Sequence, residues 1–249
     1  MKADKYIIGI DEVGRAAQKK RASLAQQYVI GIDEVGRGSL AGEVTVAALM
    51  LPQRLEIRDK KLGVPLRDSK KLTRRQRGKW FDYIKNNGNI FYATASVGPK
   101  TIDRVNISNA ANRAASIALA RLIANSKSQI ARCRIFLDGG LRLQESGAKN
   151  LDSRFRGNDI GGGGNGVGIK AKTVIRGDEK IPAITLASIA AKVTRDRRMR
   201  LWDKKYPGYA FLTNVGYGTK MHREALLAYG PTPLHRLTFI KKYTNLTND

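Results

Sequence analysis

A ten-residue segment occurs twice near the start of this chain, and the duplication limits how the chain can fold. Tyr6-Ile-Ile-Gly-Ile-Asp-Glu-Val-Gly-Arg15 recurs 22 residues later as Tyr28-Val-Ile-Gly-Ile-Asp-Glu-Val-Gly-Arg37, with one position changed. Each copy is a short apolar run closed by a turn, the pattern of a single β-strand. Two copies are too few for a stacked-repeat architecture, and only one can occupy a given place in a sheet. The second copy runs on through Gly38 and the Ser39–Gly42 turn into another apolar run, Thr45–Leu51. The first runs into Ala16 and a basic, Ala/Gln-rich stretch ending at Gln27. Register follows flanking pattern and turn length, so the second copy is the expected working strand.

Downstream, strand-like and helix-like stretches alternate. Thr73 and Gln76 form a capping box for a helix carrying Trp80, Phe81 and Ile84. Ile90–Val97 alternates as a strand, and Ser108 can cap an Ala-rich helix over Asn109–Ala124. Arg132–Leu137 and Thr173–Ile175 read as strands, Pro182 opens a long helix striped with Leu186, Ile189 and Ala190, and Thr219 caps a helix closed by Gly230-Pro231. This order predicts an α/β fold: one central mixed β-sheet flanked by helices, with a C-terminal helical extension. The expected organisation is an N-terminal extension over 1–27, one domain over 28–240 and a tail over 241–249. Within the domain, seven of the twelve residues from Gly157 to Gly168 are glycine. That composition cannot pack a core and reads as a flexible insertion over about 145–168.

Charge points to the partner. The 249 residues hold 46 Lys and Arg against 21 Asp and Glu, a formal net charge of +25. Self-repulsion on that scale costs stability unless an anionic partner screens it. The excess is clustered in Lys70–Lys79 and again in Lys192–Lys205. Nucleic acid is the expected partner, because each neutralised phosphate releases counterions. No apolar run approaches the ~20 residues of a membrane helix, no secretory leader is read at the N-terminus, and Cys133 is the single cysteine. A soluble cytoplasmic protein is expected, with no membrane partner and with a monomer as the default.

In so basic a chain, an acid at the end of an apolar strand is the residue to inspect. Asp33 and Glu34 follow Val29-Ile30-Gly31-Ile32, Asp138 ends Arg134–Leu137, and Asp178 follows Thr173-Val-Ile-Arg-Gly. Hydrolysis of a phosphodiester needs an activated water and neutralisation of the leaving oxygen, which two divalent ions supply together. Hard ions such as Mg2+ and Mn2+ take carboxylate oxygens, and open α/β sheets bind ligands at the carboxyl ends of their strands. Adjacent strand residues face opposite sides, so a turn or bulge is expected at Asp33 to bring both acids to one ion pair.

These residues also carry a resemblance. Gly31-Ile-Asp-Glu-Val-Gly-Arg-Gly38, Arg67-Asp-Ser-Lys-Lys-Leu72, Phe136-Leu-Asp-Gly139, Ile175-Arg-Gly-Asp178, Ala187-Ser-Ile-Ala-Ala-Lys-Val-Thr-Arg-Asp196, Gly216-Tyr-Gly-Thr219 and Gly230-Pro-Thr-Pro233 resemble, in order, the motifs of type 2 ribonucleases H, the ribonuclease HII family. The resemblance implies a ribonuclease H-like fold. It also implies two-metal cleavage of RNA paired with DNA, and of DNA 5′ to an embedded ribonucleotide, leaving a 3′-hydroxyl and a 5′-phosphate. Asp33, Glu34, Asp138 and Asp178 match the family's catalytic metal ligands for Mg2+ or Mn2+. Gly36, Arg37 and Gly38 match its sugar-reading loop, and Tyr217 the aromatic that stacks on the sugar. Ser69, Lys70 and Lys192 lie in matching motifs and are expected on phosphates. Asp196 reads as a helix-surface ion pair, and His222 and His235 as structural, each without a second imidazole. The chain departs from the family in its duplicated strand and its 40-residue Asp138-to-Asp178 separation. A nucleic-acid binder on the same fold with impaired turnover is therefore the alternative.

Overall fold

The structure, a computed structural model, describes residues 27–57, 62–126, 133–143 and 171–244. The first copy of the repeat and the glycine-rich insertion lie outside the described residues. The second copy forms β1 (Tyr28–Val35), and the run after it forms β2 (Val44–Pro52). They are followed by α1 (Arg74–Asn86), β3 (Phe91–Val97), α2 (Pro99–Val105), α3 (Ile107–Asn125), β4 (Cys133–Asp138) and β5 (Ala171–Val174). Then come α4 (Gly177–Lys180), α5 (Pro182–Lys205), α6 (Phe211–Asn214), α7 (Lys220–Tyr229) and α8 (Leu237–Ile240).

The five strands make one mixed sheet in the order β3-β2-β1-β4-β5. β1, β2 and β3 form an antiparallel meander, while β4 runs parallel to β1 and β5 parallel to β4. β1 is thus the middle strand, with hydrogen-bonding neighbours on both edges, and its carboxyl end lies beside that of β4.

Period-two alternation sends β1 residues to two cores. Ile30 and Ile32 face α3, whose stripe of Ala111, Ala115, Ala118 and Leu122 is buried against them with Ile135 and Leu137 of β4. The cap of α3 is Asn106, not Ser108: at φ 65 its Oδ1 accepts the Asn109 N–H at 3.0 Å. With ψ 166 this is the extended positive-φ region that glycine alone adopts freely, a strained backbone for asparagine. Ser108 is left free to serve the site. On the other face Val29 packs with Leu49, Trp80, Ile84, Leu186 and Ile189 from β2, α1 and α5. The capping box of α1 is present as expected, with Gln76 N–H on Thr73 Oγ1 and Thr73 N–H on Gln76 Oε1.

Gly31 sets how closely α5 lies on the sheet. A Cβ there would stand 2.2 Å from the Ala183 carbonyl carbon, so only glycine lets the helix backbone approach β1. A third core joins Leu40 and Ala41 to Met199, Tyr209, Phe211, Leu226 and Leu234. The C-terminal helices therefore pack directly behind the loop that follows β1.

Candidate active site

No bulge interrupts β1 at its acids. Asp33 pairs with Ala47, Glu34 with Val46 and Val35 with Thr45 in unbroken register. The turn expected from sequence is absent, and the two carboxylates leave the strand on opposite faces. Asp33 is buried on the α5 side, where the Ser188 hydroxyl donates to it. Ser188 Oγ also lies 2.8 Å from Ser69 Oγ. With its own proton on Asp33, Ser188 accepts from Ser69. Glu34 lies on the α3 side, where Arg37 Nη1 donates to its Oε1 at 3.2 Å and Arg37 Nη2 donates to Ser108 Oγ at 2.9 Å.

The other two acids come from the parallel half of the sheet. Ile32 is paired with Leu137, so Asp138 stands on the next rung beside Asp33. Its Oδ1 accepts the Gly177 N–H at 2.7 Å. β5 ends at Val174, four residues before the acid, and Arg176 then turns the chain at φ 54 into α4. Asp178 sits in that first turn, and its carbonyl accepts from Thr185 Oγ1 at 2.7 Å.

The four acids share one field. Burial pushes Asp33 well above the usual carboxylate range, and the Glu34 and Asp138 charges push the same way against the Ser188 hydrogen bond. Burial also raises Glu34, partly offset by Arg37 and reinforced by Asp138. Asp178 is raised by burial and then by Asp138, with Lys70 opposing. Lys70 Nζ lies 3.9 Å from Asp178 Oδ2. Its partial burial favours the neutral amine, but Asp178, Asp68, Asp33 and Asp138 together outweigh that and raise its pKa. Asp68 is the acid that sequence reasoning missed; buried nearby, it caps the turn carrying Lys70 through a 2.9 Å bond from the Lys70 N–H.

Among the described residues, no three His, Cys, Asp or Glu side chains form a ready-made cage for one ion. Small hard ions are commonly held by one or two carboxylates, with water and substrate oxygens completing the shell. The donor set fits ions bound that way. It is all oxygen, its members repel one another, and Glu34 Oε2 is buried without a hydrogen-bond partner among the described residues.

The loop after β1 is shaped by two buried arginines. Gly36 has φ +86, and a Cβ there would stand 2.2 Å from Arg195 Nε. Gly38 has open space where a Cβ would go. Arg195 donates to the carbonyls of Glu43, Ala41 and Val215 and to Ser39 Oγ, over 2.7–3.1 Å. It also lies 5.7 Å from the ring centroid of Tyr217, which is half-exposed beside this loop. Burial lowers Arg195, and burial together with the Arg195 charge brings Arg236 down to about 9.

Behind Tyr217 the two histidines meet, contrary to the expectation that each lacks a second imidazole. His222 Nε2 lies 3.0 Å from His235 Nε2. The Thr232 N–H donates to His235 Nδ1 at 2.9 Å, so His235 carries its proton on Nε2 and gives it to His222. His222 then holds its proton on Nδ1, 2.9 Å from the Tyr217 carbonyl.

Residues 30–242 match the family model for ribonuclease HII. The chain belongs to the ribonuclease HII family. Among curated relatives, the ribonuclease HII of Acetivibrio thermocellus is 38% identical over 239 residues, covering 96% of this chain and 71% of that one. Among solved structures, the ribonuclease HII of Archaeoglobus fulgidus, in complex with PCNA, superposes with a TM-score of 0.59 at 24% identity, covering 84% of this chain and 93% of that one. Bst-RNase HIII in complex with Mn2+ superposes with a TM-score of 0.61 at 18% identity, covering 95% and 77%. The mixed sheet and its flanking helices are thus the ribonuclease H-like fold. As a ribonuclease HII, the chain is a metal-dependent endonuclease with ribonuclease H activity on RNA–DNA hybrids.

In this ribonuclease HII the structure gathers Asp33, Glu34, Asp138, Asp178, Arg37 and Lys70 at one end of the sheet. Two expected phosphate contacts are turned elsewhere. Ser69 is buried on Ser188, and Lys192 Nζ is held 2.9 Å from Asp196 Oδ1. Asp196 does form an ion pair, but a buried one, with Arg77 Nη2 3.7 Å from its other oxygen. Ser188 and Arg195 lie inside a matching motif, but neither their roles nor that of Arg236 could be read from sequence, because their partners are backbone carbonyls, far-off serines and an acid on another strand.

Proposed function

We propose that this ribonuclease HII cuts the RNA strand of RNA–DNA hybrids and cuts duplex DNA on the 5′ side of an embedded ribonucleotide, leaving a 3′-hydroxyl and a 5′-phosphate. One observation carries the reading. The strand that brings Asp33 and Glu34 to the acid cluster continues within four residues into Gly38, whose outer side is open. Hydrolytic groups and a backbone bare enough to meet a sugar thus belong to one rigid piece of chain.

Asp33, Glu34, Asp138 and Asp178 are the residues that would hold two divalent ions, Mg2+ or Mn2+; the Mn2+ complex of Bst-RNase HIII, which shares the fold, supports the choice. Bound there, such ions supply activation of water and neutralisation of the leaving oxygen. The protein's own groups do the rest. Ser188, backed by Ser69, fixes the Asp33 carboxylate, and Arg37 fixes Glu34. Lys70, with its side chain largely exposed and its head near Asp178, meets a phosphate arriving at the cluster. Gly36, Arg37 and Gly38 face the ribose, and Tyr217 offers its face to the neighbouring sugar. Lys192 acts through Asp196 and Arg77, holding α1 against α5. A cleft of about 600 Å³ opens from Gly38 and Gly218 toward Lys241 and Lys242, a path for the duplex backbone.

Nucleic acid is the partner in this reading, the setting is cytoplasmic, and the chain acts as a monomer. The PCNA complex of the Archaeoglobus protein makes a second protein a point to check. The test is cleavage of a labelled DNA duplex carrying one ribonucleotide, with Mg2+, with Mn2+ and with chelator. A divalent-dependent cut 5′ to the ribonucleotide, lost in Asp33→Asn and kept in Asp11→Asn, is expected. Binding without a cut by the parent chain would establish the impaired binder instead.

A further inference from the structure

Arg236 is wholly buried, yet its guanidinium is bonded to carbonyls rather than to a carboxylate. Nη2 donates to the Gly36 carbonyl at 2.7 Å, Nη1 to the Arg37 carbonyl at 2.9 Å and Nε to the Gly42 carbonyl at 3.0 Å. The first two carbonyls belong to successive peptide units, and there are no cis bonds among the described residues. In a trans unit the N–H points opposite to the C=O. With both carbonyls drawn inward, the N–H groups of Arg37 and Gly38 are turned outward. Neither has a hydrogen-bond partner among the described residues.

Two adjacent outward N–H groups beside an open glycine make a small concave donor pair, the arrangement that receives an oxygen. A planar fork meets two consecutive units with separate nitrogens in fixed geometry; an ammonium, whose three donors rotate about a single nitrogen, does not fix both. We propose that Arg236 is a positioning residue for ribose recognition, its fork aligning the Arg37 and Gly38 N–H groups on the 2′-hydroxyl of the substrate. The inference rests on the reading of the loop given above and adds the group that orders it.

The full chain and its Arg236→Lys and Arg236→Met variants are titrated, at low salt with chelator, against two duplexes. One carries a single ribonucleotide and the other is all DNA. Thermal melts confirm that each variant folds. Both variants are expected to lose roughly tenfold of the preference for the ribonucleotide, the scale of one neutral hydrogen bond, while holding the all-DNA duplex within about twofold. Should Arg236→Met not fold, Arg236→Lys carries the comparison. Parallel weakening toward both duplexes, an unchanged ratio, or a parent chain without ribonucleotide preference overturns the proposal. A parent that prefers the ribonucleotide but never cuts would sink the proposed activity while leaving this inference standing.

Discussion

His222 and His235 share one proton between their Nε2 atoms at 3.0 Å, inside a core closed to solvent. The arrangement needs both rings neutral, since a second proton sets two N–H groups face to face. Burial and the neighbouring ring bring His235 down to about 4, and burial lowers His222. The unfolded chain therefore takes up protons first as pH falls below about 6.5. Stability from this pair is present above pH 6.5 and is lost as pH falls toward 4. Melts across that window should show the decline, and His235→Gln should flatten it. Because His222 holds the Tyr217 carbonyl, substrate affinity should fall over the same range.

The carboxylates pull the other way. Asp33, Glu34 and Asp178 are all raised in the folded state. The folded chain holds protons that the unfolded chain has released, so this contribution is fully present below about pH 4 and is lost as pH rises through the raised values. Asp33→Asn removes one buried repelling charge. It should lower turnover by roughly a thousandfold and yet raise Tm at neutral pH, by about 2–4 °C for each kcal/mol relieved. Measured in that background, the histidine trend stands free of the Asp33 share of the carboxylate trend.

Divalent ions should do by binding what Asp33→Asn does by substitution. Mg2+ or Mn2+ added to the parent chain at pH 7.5 should raise Tm, and chelator should reverse the gain. An equal gain in Asp33→Asn would show that the ions bind elsewhere.

Ser188 touches Asp33 and no substrate in this arrangement. Ser188→Ala should lower kcat by about tenfold, the lower range for groups that orient a ligand, with KM little changed. Ser188→Thr, which keeps the hydroxyl, should recover part of the loss. A change in KM alone would place Ser188 on the substrate instead.

Gly31 is a purely packing case. A methyl group there meets the Ala183 backbone at 2.2 Å, so Gly31→Ala should cost about 3 kcal/mol, the upper range for overpacking. Chemical denaturation measures it directly. The loss should be insensitive to divalent ions.

The strand ends were legible. Apolar runs closing on Asp33, Asp138 and, after a short turn, Asp178 put three acids where a mixed sheet exposes its carboxyl edge. The caps Thr73 and Thr219 read correctly because a capping pattern is local. Ser108 misled because Asn106, two residues earlier, accepts the helix N–H and leaves the serine to Arg37. The facing of Asp33 and Glu34 was misread for a different reason: whether a strand end bulges depends on the partner strand, and β2 keeps pairing as far as Val35.

The stretch Lys192–Lys205 shows where the boundary falls. As sequence it is a basic helix, and the alternation around it settles that it is helical and that some face of it meets a sheet. Tertiary structure alone decided that Arg195 and Asp196 point inward while Arg198 reaches Glu43 at the rim. The partners of Arg195 are carbonyls, which every residue possesses, and one hydroxyl far away in the chain. A charge satisfied by backbone leaves no complementary residue for a pattern to show. The sequence by itself determined the acids, the glycines and the order of elements; the packing of α5–α8 behind the β1 loop decided which peptide groups those glycines turn toward a substrate.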